Sequence, residues 1–169
     1  AVIAGTTALL SCWAENKKSL RLWTLGAIIL LAGFWLVDLP SQIAFWKPLQ
    51  LLTTRDTRYG RLQIIRAKEQ LSLYSNNSPL YSLPDPAAAE ESVHFAMLQN
   101  PEARHILLLG GGPGGTLGEL LKYRSAEIDY VELDPEIIDL SRSFLGEEER
   151  HYLDDARVRI IFQDGRTFL

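Results

Sequence analysis

Hydrophobic residues are concentrated in the first third of the chain, before about residue 55. The run from Leu22 to Val37 contains no charged residue and has Trp23 and Trp35 near its ends, as is common where helices meet the membrane interface. At about 1.5 Å per residue it reaches roughly 24 Å, a little short of the ~30 Å hydrocarbon core of a bilayer. A second apolar run, Ala1 to Trp13, is separated from it by AENKKSLR (Ala14 to Arg21), a polar stretch that we predict to be a loop. We therefore predict N-terminal transmembrane helices, the second of which ends at Pro40.

Two other interpretations of this apolar block stay open: a buried pair of core helices, or a signal peptide followed by a mature domain. The segment Ile43 to Leu52 could lie in the membrane interface. Three basic residues stand on each side of the Leu22 to Val37 run, so charge alone does not set its orientation.

Short runs of β-forming residues follow the apolar block. Arg61 to Arg66 and Leu71 to Tyr74 are joined by AKEQ and followed by the turn-forming SNNSP, a pattern that predicts a small β-hairpin or meander. A helix-favouring stretch, AAAEESVHFAML, comes next. We divide the chain into a transmembrane or interfacial segment (1–52), a small β region (53–83) and an α/β domain (84–169).

The last third alternates between apolar strands and helices. His105 to Leu109 is a continuous apolar run, typical of a strand buried on both faces of a parallel sheet. Two further strands are predicted at Ile128 to Val131 and Val158 to Phe162. Between them, Thr116 and Glu119 form a predicted capping box, and Asp134 with Pro135 predicts a helix start. This order predicts a Rossmann-like, doubly wound α/β sheet.

A glycine-rich segment follows the first of these strands directly. Gly110, Gly112 and Gly115 satisfy the pattern G-x-G-x-x-G, which lets the backbone turn sharply and approach a ligand closely. Glu132, at the end of the second strand, is placed to accept hydrogen bonds from ribose hydroxyls. Asp164 and Gly165 follow the third strand. Together these residues predict a nucleoside site.

Composition narrows the range of partners. A net charge of -4 argues against nucleic acid, whose phosphates select basic surfaces. The single cysteine, Cys12, and the three histidines have no metal-ligand spacing, so we expect no metal. The chain starts at Ala1 and stops just after a strand-like run, and we expect it to be a piece of a longer protein.

Three stretches resemble the spermidine synthases, also called polyamine aminopropyltransferases: HILLLGGGPGGTLGELLKY, IDYVELDPEIIDLSRSFL and RVRIIFQDGRTFL. The resemblance extends back to about Tyr59, and the chain is also similar to bacterial members with an integral-membrane N-terminus. The resemblance implies a transferase of polyamine biosynthesis with a small β-domain before a Rossmann-like sheet of the class I methyltransferase type. The implied donor is decarboxylated S-adenosylmethionine and the implied acceptor is a polyamine such as putrescine. A membrane and a second copy of the chain are further candidate partners. Because S-adenosyl donors and polyamines are cytosolic, the resemblance also implies a multi-pass inner-membrane protein whose soluble part faces the cytoplasm.

The resemblance also assigns roles to residues. The donor would be bound by Gly110, Gly111, Gly112, Gly114, Gly115, Glu132, Asp164 and Gly165. Tyr59 and His94 would contact the polyamine, although a lone helical histidine is more often a surface or packing residue. The family's catalytic aspartate would lie beyond Leu169.

Two positions depart from the family pattern. Pro113 stands where the family has an aspartate that faces the amine, and Gly60 stands where a glutamine follows the tyrosine. Val93 and Phe95 also break the family's Tyr-His-Glu motif around His94. Alternatives to the aminopropyltransferase are therefore a methyltransferase that uses S-adenosylmethionine, a non-catalytic nucleoside-binding domain of a membrane protein and, as the weakest, an NAD dehydrogenase.

Overall fold

A computed structural model describes residues 17–124 and 126–169. They belong to two compact units, one ending at Lys47 and one spanning Pro48–Leu169. The apolar run from Ala1 to Trp13, predicted as a first helix, lies outside the described residues.

The first unit contains one long helix, α1 (Lys17–Phe45), which continues through Pro40. The predictions that Pro40 ends the helix and that Lys17 to Arg21 form a loop are therefore wrong. A proline removes only one backbone hydrogen bond from the helix. Around it, Ser41 Oγ donates to the Asp38 carbonyl and Gln42 Nε2 donates to Asp38 Oδ2, each at 2.7 Å. These two bonds stabilise the turn that contains the proline.

Part of α1 is long and apolar enough to cross a bilayer. Leu22–Phe45 comprises 24 residues, within which an 18-residue window has a mean hydropathy of 2.0. At ~1.5 Å per residue the 24 residues form about 36 Å of helix. By length and composition alone, a core helix or a signal sequence would meet the same criterion. The transmembrane assignment stays a prediction.

The second unit begins with a four-stranded antiparallel meander in the order β1-β2-β3-β4. The two central strands match the predicted runs, whereas the outer two were not predicted. Asn76 and Asn77 have φ of 49° and 66°, as a tight hairpin turn between β3 and β4 requires. The strand bounds are β1 (Gln50–Thr57), β2 (Gly60–Ala67), β3 (Gln70–Ser75) and β4 (Ser78–Leu83).

An α/β layer follows the meander, and its three parallel strands lie in the order β5-β6-β7. The Rossmann-like alternation predicted from the sequence is confirmed, and α5 is an additional helix. The elements are α2 (Pro86–Met97), β5 (His105–Leu109), a 3-10 turn (Gly112–Gly114), α3 (Thr116–Leu121), β6 (Glu127–Glu132), α4 (Pro135–Phe144), α5 (Glu147–Asp154), β7 (Val158–Phe162) and α6 (Gly165–Phe168).

The main core lies between this sheet and its helices. Ile128 and Tyr130 of β6 pack with Leu117 and Leu120 of α3. The prediction that β5 is buried on both faces is wrong, because Leu109 is 51% exposed. β5 is an edge strand of the described sheet, and only one of its faces is covered.

The two predicted helix starts differ in outcome. Asp134 caps α4 by accepting a hydrogen bond from the Glu136 amide at 3.1 Å, with Pro135 in the first turn, as predicted. The capping box is wrong: Gly115, in the left-handed region, is the residue before α3, and no side chain caps it. Thr116 is already the first helical residue, one position too late to act as the cap.

Candidate functional site

The glycine loop connects β5 to α3 and requires glycine for two physical reasons. Gly110, Gly111 and Gly115 have φ of 71°, 73° and 94°, which L side chains rarely adopt. At the other two positions space is the constraint. A Cβ on Gly112 would lie 2.6 Å from the Tyr130 ring, and one on Gly114 would lie 2.7 Å from Tyr81 Cβ. The loop is thus pressed onto two aromatic rings, while a Cβ on Gly110 or Gly111 would meet only open space.

Glu132 ends β6 beside this loop. The Gly110 amide donates to the Val131 carbonyl at 2.9 Å, so the loop starts next to the end of β6. Glu132 is buried, with 6% of the residue exposed. It accepts hydrogen bonds from the Tyr130 hydroxyl at 2.7 Å and from the Leu133 amide at 2.8 Å. A buried carboxylate fixed in this way is a pre-oriented acceptor for hydroxyl groups.

Asp164 and Gly165 lie at the same edge of the sheet. The Gln163 amide donates to the Glu132 carbonyl at 3.1 Å, and a Cβ on Gly165 would lie 3.1 Å from Leu109. Asp164 caps α6 by accepting from the Arg166 amide at 2.9 Å. The hydrogen bond from the Arg166 side chain, with the Arg166 amide adding to it, lowers the pKa of Asp164. Asp164 is therefore a carboxylate at neutral pH and can accept a hydrogen bond from a base amino group.

An open cavity of about 370 Å³ lies beside the glycine loop. Its walls are mostly small or apolar, and Asp85 is the one carboxylate among the described residues that line it. Pro113 is buried and is absent from the lining. The lining residues are Pro79, Leu80, Tyr81, Ser82, Asp85, Ala88, Ala89, Ser92, Gly111, Gly114 and Thr116.

His94 faces a different part of the fold. Its Nδ1 lies 2.8 Å from the Tyr123 hydroxyl and its Nε2 lies 3.0 Å from Glu119 Oε2. Glu119 is also bonded to Lys122 Nζ at 2.7 Å. Both ring nitrogens thus have partners between α2 and α3, and His94 does not line the 370 Å³ cavity. The geometry favours the packing role over substrate binding.

Tyr59 lies in the turn between β1 and β2, and a hydrogen bond links this turn to the edge of the sheet. Thr57 Oγ1 donates to Asp134 Oδ2 at 2.6 Å and accepts from the Tyr59 amide at 3.0 Å. The Tyr59 side chain is 41% exposed, and the Arg58 guanidinium lies 5.0 Å from its ring centroid. The turn is therefore held against Asp134, which follows Glu132 by two residues.

The departure at position 60 has a structural reason. Gly60 has φ of 146°, and a Cβ there would lie 2.2 Å from the Asn76 side chain. Asn76 Oδ1 accepts from the Arg61 amide at 3.0 Å. A larger residue at position 60 would have to displace Asn76.

Sequence reasoning missed the two tyrosines behind the loop. Tyr130 is fully buried, and the Tyr81 hydroxyl is hydrogen-bonded to the Ser141 hydroxyl on α4. One signal was available: Tyr130 and Glu132 are two residues apart on one strand and therefore share a face. Among residues 17–124 and 126–169, no group of three or more His, Cys, Asp or Glu could hold a metal ion.

The fold and the arrangement of this edge define a Rossmann-like α/β domain with a glycine loop at the carboxyl ends of its strands. Residues 86–169 match the family described as "Spermine/spermidine synthase domain". This part of the chain belongs to the spermine/spermidine synthase family, a family of transferases, which confirms the resemblance to the spermidine synthases.

Named relatives and solved structures agree with this assignment. The polyamine aminopropyltransferase of Clostridium perfringens is 41% identical over 78 residues, which cover 46% of this chain and 27% of that protein. The one from Archaeoglobus fulgidus is 36% identical over 110 residues, covering 65% of this chain and 37% of that protein.

The spermidine synthase of Thermotoga maritima has the same fold, with a TM-score of 0.64, 24% identity, and coverage of 70% of this chain and 42% of that one. A spermidine synthase in complex with the transition-state analogue AdoDATO also has this fold, with a TM-score of 0.64 and 24% identity. The match covers 70% of this chain and 41% of that one. The sequence thus spans well under half the length of these relatives.

Proposed function

We propose that the chain provides the donor-binding part of an aminopropyltransferase, which transfers an aminopropyl group from decarboxylated S-adenosylmethionine to a polyamine such as putrescine. The observation that carries the proposal is the convergence of Gly110–Gly115, Glu132 and Asp164 at one edge of the sheet. The similarity to polyamine aminopropyltransferases supports the donor and acceptor classes.

The reaction requires an amine to lose a proton and to be held in line with the carbon next to a sulfonium. In this proposal the described residues bind and orient the donor. The glycine loop approaches it closely, Glu132 accepts hydrogen bonds from its ribose, and Asp164 accepts one from its adenine. The carboxylate that receives the proton of the amine is expected beyond Leu169.

A methyltransferase that uses S-adenosylmethionine is the second candidate. Pro113 replaces an aspartate of the family and is buried, and Asp85 is the only carboxylate among the described residues that line the adjacent cavity. Asp85 already accepts a hydrogen bond from the Ala88 amide at 3.2 Å. The small negative charge of this cavity supports an acceptor that carries fewer positive charges than a polyamine. A second cavity beside Gly114 and Gly115 is lined by four carboxylates and supports the polyamine instead.

We also propose that α1 anchors the protein in the inner membrane of the cell, with the α/β domain in the cytoplasm. The 24-residue apolar stretch of α1 supports the anchor, and the cytosolic supply of S-adenosyl compounds supports the orientation. A multi-pass arrangement and a homodimer stay predictions.

Product analysis distinguishes the two reactions. The whole protein that carries this sequence is incubated with putrescine and either decarboxylated or intact S-adenosylmethionine. We expect spermidine and methylthioadenosine from the decarboxylated donor alone. S-adenosylhomocysteine from the intact donor would instead indicate methyl transfer, and the absence of all three products would contradict a catalytic role.

A further inference from the structure

Tyr130 lies behind the glycine loop, and its ring and hydroxyl contact two different parts of the candidate donor site. It stands two residues before Glu132 on β6, so both side chains project from the same face of the strand. Its hydroxyl donates to Glu132 Oε2 at 2.7 Å. Gly112 packs against its ring, so closely that a Cβ added to Gly112 would lie 2.6 Å from Tyr130 Cε1. One fully buried side chain therefore connects the loop to the carboxylate.

The phenol keeps its proton under all physiological conditions. Burial raises the pKa of Tyr130 far above its usual value, and the negative charge of Glu132 raises it further. The backbone of Gly112 lowers this pKa slightly, but the net shift is upward. The hydroxyl is thus a permanent donor to Glu132.

The carboxylate of Glu132 is oriented by contacts on both of its oxygens. Oε1 accepts from the Leu133 amide at 2.8 Å and from the Asp134 amide at 3.4 Å. Oε2 has the Tyr130 hydroxyl as its hydrogen-bond donor. A carboxylate oxygen can accept about two hydrogen bonds, so Oε2 retains capacity for a ribose hydroxyl once Tyr130 has set its direction.

We propose that Tyr130 is a positioning residue that couples the glycine loop to Glu132 and so determines the selectivity of the donor site for a ribose with free hydroxyls. This inference rests on the proposed donor site. It assigns to Tyr130 no contact with the ligand, only the orientation of the acceptor that makes the contact.

The test compares two ligands that differ only in the ribose hydroxyls: methylthioadenosine and its 2′,3′-dideoxy analogue. Their affinities are measured by calorimetry on the whole protein in detergent and on Tyr130→Phe, which keeps the ring and removes the hydroxyl. We expect the wild type to prefer methylthioadenosine. Tyr130→Phe should reduce that preference about fivefold, since one orienting hydrogen bond is lost, while its affinity for the dideoxy analogue stays unchanged.

Two variants serve as references. Tyr123→Phe removes a hydroxyl that contacts His94 at 2.8 Å and should leave the preference unchanged. Glu132→Ala should abolish it. If Tyr130→Phe does not fold, Gly112→Ala provides the second route, because its Cβ displaces the Tyr130 ring and should reduce the preference in the same way.

The outcomes separate this inference from the proposed site. A wild type without any preference, or a Glu132→Ala variant that keeps it, would overturn the donor site and the inference with it. Loss of the preference in Glu132→Ala with full preference in Tyr130→Phe would overturn the role of Tyr130 alone. Equal weakening of both ligands in Tyr130→Phe would reduce Tyr130 to a packing residue and would also overturn it.

Discussion

Tyr81 is one of the residues that join the meander to the α/β layer. Its Cβ lies against Gly114, and its hydroxyl is hydrogen-bonded to Ser141. Burial raises the pKa of Tyr81 to about 12, and the charge of Glu132 adds to that effect. The folded protein therefore stabilises the neutral phenol of Tyr81 relative to its phenolate.

This shift predicts a loss of stability in alkali. Below pH ~10 the tyrosine is neutral in both states, but above it the unfolded chain loses the proton while the folded chain retains it up to about pH 12. The free energy of unfolding should therefore fall as the pH rises through this window. In Tyr81→Phe the fall between pH 9 and 11 should be smaller by on the order of 1 kcal/mol.

Urea unfolding of both proteins at the two pH values measures this difference. The variant also lacks the hydrogen bond to Ser141 and starts from a lower stability, so the pH-dependent change is compared and not the absolute value. Identical falls in the two proteins would contradict the assignment.

Single residues differed in how well the sequence predicted them. Periodicity and chain order were enough to predict the strand before Gly110 and the positions of Glu132 and Asp164. Parallel strands end at one edge of a sheet, so residues that follow them lie close together. The role of His94 could not be predicted in this way, because it depends on the face of α2 that His94 occupies. Its partners Glu119 and Tyr123 are distant in sequence. Tyr130 had the pattern of a core residue, and its role depends on a contact with Gly112 that no local pattern encodes.

Elements with strong local signals were predicted at or near their observed bounds, as with β5, β6 and β7, and the start of α4 was predicted correctly. β1 and β4 were missed for identifiable reasons. β1 contains the charged Arg55 and Asp56 and resembles a linker, but Arg55 pairs with Glu136 of α4 at 2.7 Å. β4 contains Pro79 and is an edge strand, where proline is tolerated. In both, tertiary contacts outweigh a weak local preference.

The start of α3 shows how a neighbouring element changes a local rule. Thr116 and Glu119 have the spacing of a capping box, but the glycine loop delivers the chain in the left-handed conformation at Gly115. Glu119 instead contacts His94 and Lys122. The conformation of the glycine loop therefore makes Gly115, and not Thr116, the residue before the helix, and the helix starts without a side-chain cap.

At the scale of the whole molecule, a long apolar helix and an α/β domain belong to one chain. We expect a fluorescent protein fused after Leu169 to fluoresce in the cytosol, and an alkaline phosphatase fused at the same position to be inactive. The basis is the supply of S-adenosyl compounds, since the basic residues on the two sides of the Leu22 to Val37 run are balanced. An active phosphatase with a dark fluorescent fusion would place the domain outside and contradict the transferase proposal.

The central claim is that the edge formed by the glycine loop, Glu132 and Asp164 binds the nucleoside of an S-adenosyl donor. Calorimetry with methylthioadenosine and with NAD tests it on the whole protein, on Glu132→Ala and on Glu127→Ala. Glu127 is the matched control because it lies at the other end of β6 and its side chain is 73% exposed. We expect binding of methylthioadenosine but not of NAD, weakened by about 1.5 to 3 kcal/mol in Glu132→Ala and unchanged in Glu127→Ala. Binding of NAD, or full affinity in Glu132→Ala, would contradict the claim.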